Sequence, residues 1–244
     1  MSHNKKLFLL DAFALIYRAY FAFGNNQRYN SKGLNTSAAL GFTNTLLEVL
    51  EKEKPSHIAV VFDAPAATNR EIEYSDYKAN REEMPEDIKS AIPYIKRIVE
   101  AFNIPIIISE GYEADDLIGT LAKKAEKEGY ITYMMTPDKD FGQLVSENIF
   151  IYKPARSGKP AEVMGIKEVC EKFEVTSPLQ VIDILGLMGD KVDNIPGIPG
   201  IGEGTAKKLI KRFQSVEGVI ENADQLKGKQ QENVINFAEQ GLLS

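Results

Sequence analysis

The side chains of this sequence best suited to chemistry are carboxylates: Asp11, Asp63, Glu113, Asp115, Asp116, Asp138, Asp140, Asp190 and Asp193. Each alone reads equally as a helix cap or a surface acid; Asp138, for instance, stands where it could cap the segment that follows. As a set they ask for a common cause. Two like charges about 4 Å apart repel by roughly 4 kcal/mol at an effective dielectric near 20, so a fold that gathers several needs cations to offset them. No histidine or cysteine accompanies these acids, and all-oxygen donors favour Mg²⁺ or Mn²⁺ over zinc. Two such ions about 3.5–4 Å apart can activate water and stabilise the attacking and leaving oxygens of a phosphodiester. Phosphodiester hydrolysis is the chemistry implied. Imidazole catalysis is disfavoured, because neither His3 nor His57 stands beside a plausible nucleophile.

The segments that must position these acids are legible from periodicity. Apolar runs at 6–10 and 57–62 end in Asp11 and Asp63. A third run spans 104–108, with Glu113 opening the helix after it, and a fourth spans 131–136, with Asp138 and Asp140 just beyond. Helical patterns intervene, one over 12–23 and another that Ser37 could cap, running to about Lys52. Gly24 to Thr36 reads as a loop. Strands alternating with helices imply a parallel sheet with helices on both faces, and such sheets bind ligands at the carboxyl ends of their strands. The acids sit at those ends.

Two further segments stand apart. Asp63 to Pro85 is polar and lacks periodicity, which by itself reads as a solvated loop; it contains Tyr77-Lys78-Ala79-Asn80-Arg81. After about Gly165 short helical stretches take over. Among them lies Gly197-Ile198-Pro199-Gly200-Ile201-Gly202, followed by Lys207, Lys208, Lys211 and Arg212. This suits a helix–hairpin–helix element: Gly200 and Gly202 would let the backbone approach a phosphate, the next helix offers unpaired N–H groups, and the lysines add attraction. An ordinary tight turn with a solvated lysine face has the same composition.

Composition bounds the reading. A hydrophobic fraction of 43% is enough for a packed core. No apolar run reaches the roughly 20 residues that span a bilayer, and Leu7-Phe8-Leu9-Leu10 is too short for a signal-peptide core; a cytoplasmic setting is expected. The single cysteine, Cys170, forms no internal disulfide and, flanked by Val169 and Phe173, is expected to be a buried small hydrophobe. A net charge of −6 is unusual for a nucleic-acid binder. Distribution outweighs the sum, though, when acids are drawn into a metal site.

The ordered set Leu10-Asp11 with Tyr17-Arg18-Ala19, Val61-Phe62-Asp63-Ala64, Tyr77 to Arg81, Gly111-Tyr112-Glu113-Ala114-Asp115-Asp116, Thr136-Pro137-Asp138-Lys139-Asp140 and Gly189-Asp190 to Gly202 resembles the 5′-nuclease domain of bacterial DNA polymerase I, a relative of flap endonucleases. The resemblance covers nearly the whole chain. It implies a PIN-like α/β core over 1–165, including a helical arch at about 64–86, and a helix–hairpin–helix module over 166–244. It implies a two-metal enzyme that removes 5′ flaps and RNA primers from branched or nicked DNA, acting as a monomer, with a polymerase module in the parent chain or as a free-standing nuclease.

By position, the resemblance gives the first metal to Asp11, Asp63, Glu113 and Asp115. The second site falls to Asp116, Asp138, Asp140, Asp190 and Asp193. Lys78 and Arg81 would meet the scissile phosphate, with Asp115 and Asp138 at the reacting centre. Arg18 and Arg70 would contact DNA, Tyr77 would stack on a base, and the hairpin would hold duplex, in this family often through K⁺. The sequence departs from the family pattern at Ala12, where glycine is usual, at Asn69 before Arg70, where phenylalanine is usual, and at Gly204, where lysine is usual. Two other readings use the same fold: a catalytically silent DNA-binding module, and a PIN-like ribonuclease. All the acids are present, against the first, and the glycine hairpin is foreign to the second.

Overall fold

The computed structural model describes residues 5–155 and 158–244, so His3 lies outside the described residues. Along the chain run β1 (Lys5–Asp11), α1 (Ala12–Ala22), α2 (Ser37–Glu48), β2 (His57–Val61), α3 (Asn69–Glu73), α4 (Glu86–Ala101), β3 (Ile106–Ile107), α5 (Ala114–Lys127), β4 (Tyr130–Met135), β5 (Ile149–Lys153) and β6 (Glu162–Met164). Helices alone follow: α6 (Ile166–Phe173), α7 (Gln180–Met188), α8 (Glu203–Phe213), α9 (Val216–Glu221), α10 (Gly228–Asn236) and α11 (Ala238–Leu243). The sheet order is β3-β2-β1-β4-β5-β6, and the pairings from β3 through β5 are parallel.

Parallel strands need a crossover between them, and helices on both faces leave the central strand dry. Accordingly Phe8, Leu9 and Leu10 of β1 are all buried although they alternate faces. On one face Phe8 and Leu10 join Ile16, Phe42, Leu46, Val60, Phe62, Ile88 and Ile95 in one cluster. The α4 stripe of Ile88, Ala91, Ile95 and Val99 recurs at helical spacing and is buried.

The chain divides into two compact units. One holds the chain up to Asn69, Glu82–Phe141 and Glu147–Val163; the other holds Arg70–Arg81, Gly142–Ser146 and Met164–Ser244. The sequence reading draws its boundary at 165 and keeps 64–86 in the first domain, whereas Arg70–Arg81 packs with the second unit, because its hydrogen bonds run to Asp193 and Asn194.

Several local expectations change. Strands β5 and β6 lie outside the strand-then-acid pattern: β5 is as long as β2, but no acid stands just beyond its end. Ser37 is no cap but the first residue of α2, fully buried, its hydroxyl accepting from the Arg28 N–H at 2.7 Å. The helix stops at Glu48 and continues as a π-helical turn, Val49–Glu53, before Lys54 adopts a left-handed φ of 45°. Cys170 is half-buried rather than buried, and desolvation pushes its thiol up. No described helix is long and apolar enough to cross a membrane.

Candidate active site

The first unit gathers acids where parallel-strand geometry requires. Asp11 closes β1, opposite Val61 of β2, and Leu10 stands opposite Met135 of β4. Asp63 lies two residues past the end of β2 and Asp138 three past the end of β4, so all three carboxylates lie at or just beyond the carboxyl ends of three adjacent strands. Helix α5 brings the rest: its cap is Glu113, only 5% exposed, with Asp115 and Asp116 in the first turn. Acids there are favoured by the positive end of the helix dipole. Asp63 Oδ1 accepts from the Ala114 N–H at 2.6 Å, which ties the start of α5 to the end of β2.

Several of these carboxylates accept identified hydrogen bonds. Asp11 caps α1 through the Ala14 N–H at 3.1 Å and accepts the Thr136 hydroxyl at 3.0 Å. Asp116 accepts from the Glu113 N–H at 3.1 Å, Asp115 from the Asp116 N–H at 2.7 Å, and Asp138 from the Asp140 N–H at 3.0 Å. Burial pushes the Asp11 carboxyl up to about 6; its two hydrogen bonds pull it down, and the charges of Asp63 and Asp138 push it further up. Those repulsions mark the three acids as electrostatic neighbours.

A cation relieves both burial and repulsion, and the donors are all oxygen, so the residues fit a hard divalent ion. Among the described residues no three His, Cys, Asp or Glu side chains lie close enough together to enclose an ion, and Asp63, Asp115 and Asp138 each accept a backbone N–H. Thr136, which the sequence reading missed, is the added member: a buried hydroxyl between two acids, detectable only once β1 and β4 are known to be adjacent.

Asp190 and Asp193 belong to the second unit, on a tight loop between Gly189 and Gly197. Gly189 (φ +67°) and Gly197 (φ +59°) approach so closely that a Cβ on either would strike backbone of the other strand of the loop. Asp190 and Ile195 exchange both backbone hydrogen bonds, at 2.9 and 2.7 Å. Asp190 Oδ1 accepts from the Val192 N–H at 2.8 Å. Asp193 is engaged by Arg81, whose Nε donates to its Oδ1 at 3.0 Å, so the expected ligand and the expected phosphate contact are paired with each other.

Other candidates fall differently from expectation. Tyr77 is only 8% exposed, with Lys78 Nζ 4.8 Å from its ring centre, so its ring is largely covered. Arg18 donates to the carbonyls of Pro154 and Ala155. Arg70 lies at the exposed start of α3, while its neighbour Asn69 packs its amide against Gly111 (φ +81°) and donates its N–H to the Gly111 carbonyl at 2.9 Å. Ala12 is fully buried at the start of α1.

The glycine turn does join two helices, α7 and α8. Gly200 has φ +81°, but Gly202 has φ −96°, caps α8, and a Cβ there would meet nothing within 4 Å. Its value is open space and not a left-handed backbone. Two turn carbonyls already accept side-chain amides, Pro199 from Asn233 at 2.7 Å and Gly197 from Gln240. Lys208 and Lys211 are exposed, whereas Lys207 is tied to Glu203 at 2.8 Å, Glu174 at 3.8 Å and the Lys172 carbonyl. Gly204 faces open space.

Two family models account for the chain: 5′-3′ exonuclease, N-terminal resolvase-like domain, over residues 6–174, and 5′-3′ exonuclease, C-terminal SAM fold, over 176–244. The chain is 42% identical over 245 residues to DNA polymerase I of Bacillus subtilis, covering 100% of itself and 28% of that protein. It is 42% identical over 218 residues to a 5′-3′ exonuclease of Aquifex aeolicus, covering 89% of itself and 73% of that protein. It therefore spans about a quarter of the length of the polymerase relatives it matches. Among solved structures it resembles the T5 D15 protein co-crystallised with metal ions (TM-score 0.75, 21% identity, 97% of this chain and 86% of that one). It also resembles the catalytic core of Rad2 in complex with DNA (TM-score 0.63, 16% identity, 98% and 74%). Sheet order, strand-end acids and the two matched models agree: the chain belongs to the 5′-3′ exonuclease family.

Proposed function

We propose that the chain hydrolyses DNA phosphodiesters as a divalent-metal-dependent, structure-specific 5′-nuclease, removing 5′ flaps and RNA primers. The observation that carries this is the alignment of Asp11, Asp63 and Asp138 at the ends of three adjacent parallel strands, with the acidic start of α5 tied to them through Asp63. Asp11, Asp63, Glu113 and Asp115 would hold one Mg²⁺ or Mn²⁺, and Asp116, Asp138 and Asp140 would hold or support a second; Asp190 and Asp193, which the family resemblance adds to the second, belong to the other unit. When bound, such cations supply an activated water and neutralise charge on the phosphodiester oxygens. Thr136 fixes the Asp11 carboxylate, and the Ala114 N–H fixes that of Asp63.

Lys78 and Arg81 supply positive charge for the phosphate of the reacting strand, Arg81 by exchanging its Asp193 partner for it. The open face at Gly202, with Lys208 and Lys211 on α8, would take duplex backbone. The polymerase relatives suggest a polymerase module in the parent chain, and a monomer suffices for every role named. The test is cleavage of a 5′-labelled flap duplex with Mg²⁺, with EDTA, and by Asp138→Ala. Cleavage that persists in EDTA or in the variant would remove the metal reading.

A further inference from the structure

The segment Arg70–Arg81 is a run of turns with local backbone hydrogen bonds, such as Tyr77 N–H to Tyr74 and Arg81 N–H to Lys78, both at 3.0 Å. Its one helix, α3, is five residues long and buries no side chain, and Tyr77 alone is buried within the segment. Its course is set by a two-residue corner, Asp193–Asn194. The Lys78 N–H donates to the Asp193 carbonyl at 2.9 Å, and Arg81 Nε donates to the Asp193 carboxylate at 3.0 Å. The Asn80 amide donates to Asn194 Oδ1 at 3.0 Å, Asn194 Nδ2 donates to the Asp76 carbonyl at 2.8 Å, and the Tyr74 hydroxyl donates to the Asn194 carbonyl at 3.3 Å.

Asn194 thus uses both ends of its amide, one as donor and one as acceptor. It does so at φ +59°, a left-handed conformation that asparagine tolerates far better than most side chains. The corner is mounted on a loop whose geometry is fixed by the Gly189–Gly197 approach and the Asp190–Ile195 pair. An exposed polar segment is therefore registered on the acidic 189–197 loop by one residue that no carboxylate or phosphate contact explains.

We propose that Asn194 is a positioning residue: it sets the register of the 70–81 segment, and so of Lys78 and Arg81, on the loop that carries Asp190 and Asp193. The inference rests on the roles proposed above for Lys78 and Arg81. Asp193 does not reach Asp76 or Asn80, whose contacts to this loop are both made by Asn194, and these two residues flank Lys78, itself at φ +57°. A reacting group displaced by about 1 Å can lose a factor of about 100 in rate.

The test uses Asn194→Gly, which keeps the backbone conformation and removes both amide contacts, with Asn194→Asp, Asn80→Ala, Lys78→Ala and Arg81→Ala alongside. Single-turnover cleavage and affinity are measured on a 5′-flap duplex with Mg²⁺, and amide hydrogen exchange on the protein without DNA. Asn194→Gly is expected to cleave roughly 10–100-fold more slowly, with affinity and melting temperature nearly unchanged and faster exchange confined to 70–81. Asn194→Asp, which keeps the acceptor for Asn80, should recover part of the rate. Wild-type cleavage by Asn194→Gly, or a rate loss accompanied by general destabilisation without selective exchange at 70–81, overturns the proposal. Wild-type rates in Lys78→Ala and Arg81→Ala would instead overturn the roles given to those residues, and exchange at 70–81 would then alone decide whether Asn194 holds the segment.

Discussion

Thr136 donates its hydroxyl to Asp11 Oδ2 at 3.0 Å and accepts the N–H of Asp138 at 3.2 Å, so one fully buried side chain links the acids at the ends of two adjacent strands. The two residues are 125 positions apart, and only the parallel pairing of β1 with β4 brings them together. The hydroxyl does what neither acid can do for the other: it donates to one carboxylate while satisfying the backbone that presents the next.

Thr136→Val should therefore cost more than its isosteric shape suggests. It leaves the half-buried Asp11 carboxylate short of a donor and the Asp138 N–H without an acceptor, a loss of about 1–3 kcal/mol. Urea unfolding in EDTA measures it, and Thr136→Ser should restore most of it. Stability equal to wild type in the valine variant would show that solvent replaces both bonds.

Asp11 also makes a signed prediction about pH. Its folded pKa, about 6, lies above its ordinary value of 3.8 chiefly through burial, so between those values the native state binds more protons than the unfolded chain. The group's favourable contribution is complete below pH about 4 and lost as pH rises through about 6, for a total of roughly 2–3 kcal/mol from a shift of about two units. In EDTA, Asp11→Asn should thus gain on the wild type in melting temperature between pH 4.5 and 7.5. Added Mg²⁺ should reverse that ranking at high pH, because it binds the ionised form. A wild-type-minus-variant difference that stays flat with pH in EDTA would contradict the burial assignment.

The glycines of the second unit divide by what surrounds them. Gly189→Ala and Gly197→Ala would drive a methyl group into backbone at positive φ, and each should lose at least about 3 kcal/mol or fail to fold. A Cβ at Gly202 meets nothing within 4 Å, so the melting temperature of Gly202→Val should fall only slightly while its affinity for a flap duplex drops. Thermal melts and duplex titration of the three proteins separate the cases, and an equal loss of stability in all three would show that Gly202 is a structural glycine as well.

What the sequence discloses and what it hides follow one physical rule. Asp11, Asp63 and the acids of α5 are legible because strand periodicity and strand-end position are local properties. Thr136, Asn80 and Asn194 are not, because a hydroxyl or amide gains its role only from a partner far along the chain. The same limit misleads in the other direction. Tyr77 and Lys207 look available from composition, and only tertiary packing reveals that one is buried and the other already paired. Strand β5 escapes because nothing chemical marks its end.

Lysines on α8 therefore should not be equivalent in duplex binding. Lys208 and Lys211 are exposed on the helix that Gly202 caps, and each phosphate contact they make releases counterions. Each should contribute about 0.9 to the slope of log affinity against log salt. The Lys207 side chain is 13% exposed, its ammonium 2.8 Å from Glu203 and 3.8 Å from Glu174. It must give up those partners before it can meet a phosphate. Lys208→Ala/Lys211→Ala should thus bind a flap duplex more weakly with a shallower salt slope, while Lys207→Ala leaves the slope unchanged. Cleavage at saturating substrate should survive in both, since the strand-end acids are untouched. The measurement is flap-duplex affinity from 50 to 300 mM KCl, roughly the range over which such contacts change affinity by orders of magnitude. A slope as steep as wild type in the double variant would move duplex binding to another surface. A shallower slope in Lys207→Ala would mean that its ion pairs open when DNA binds.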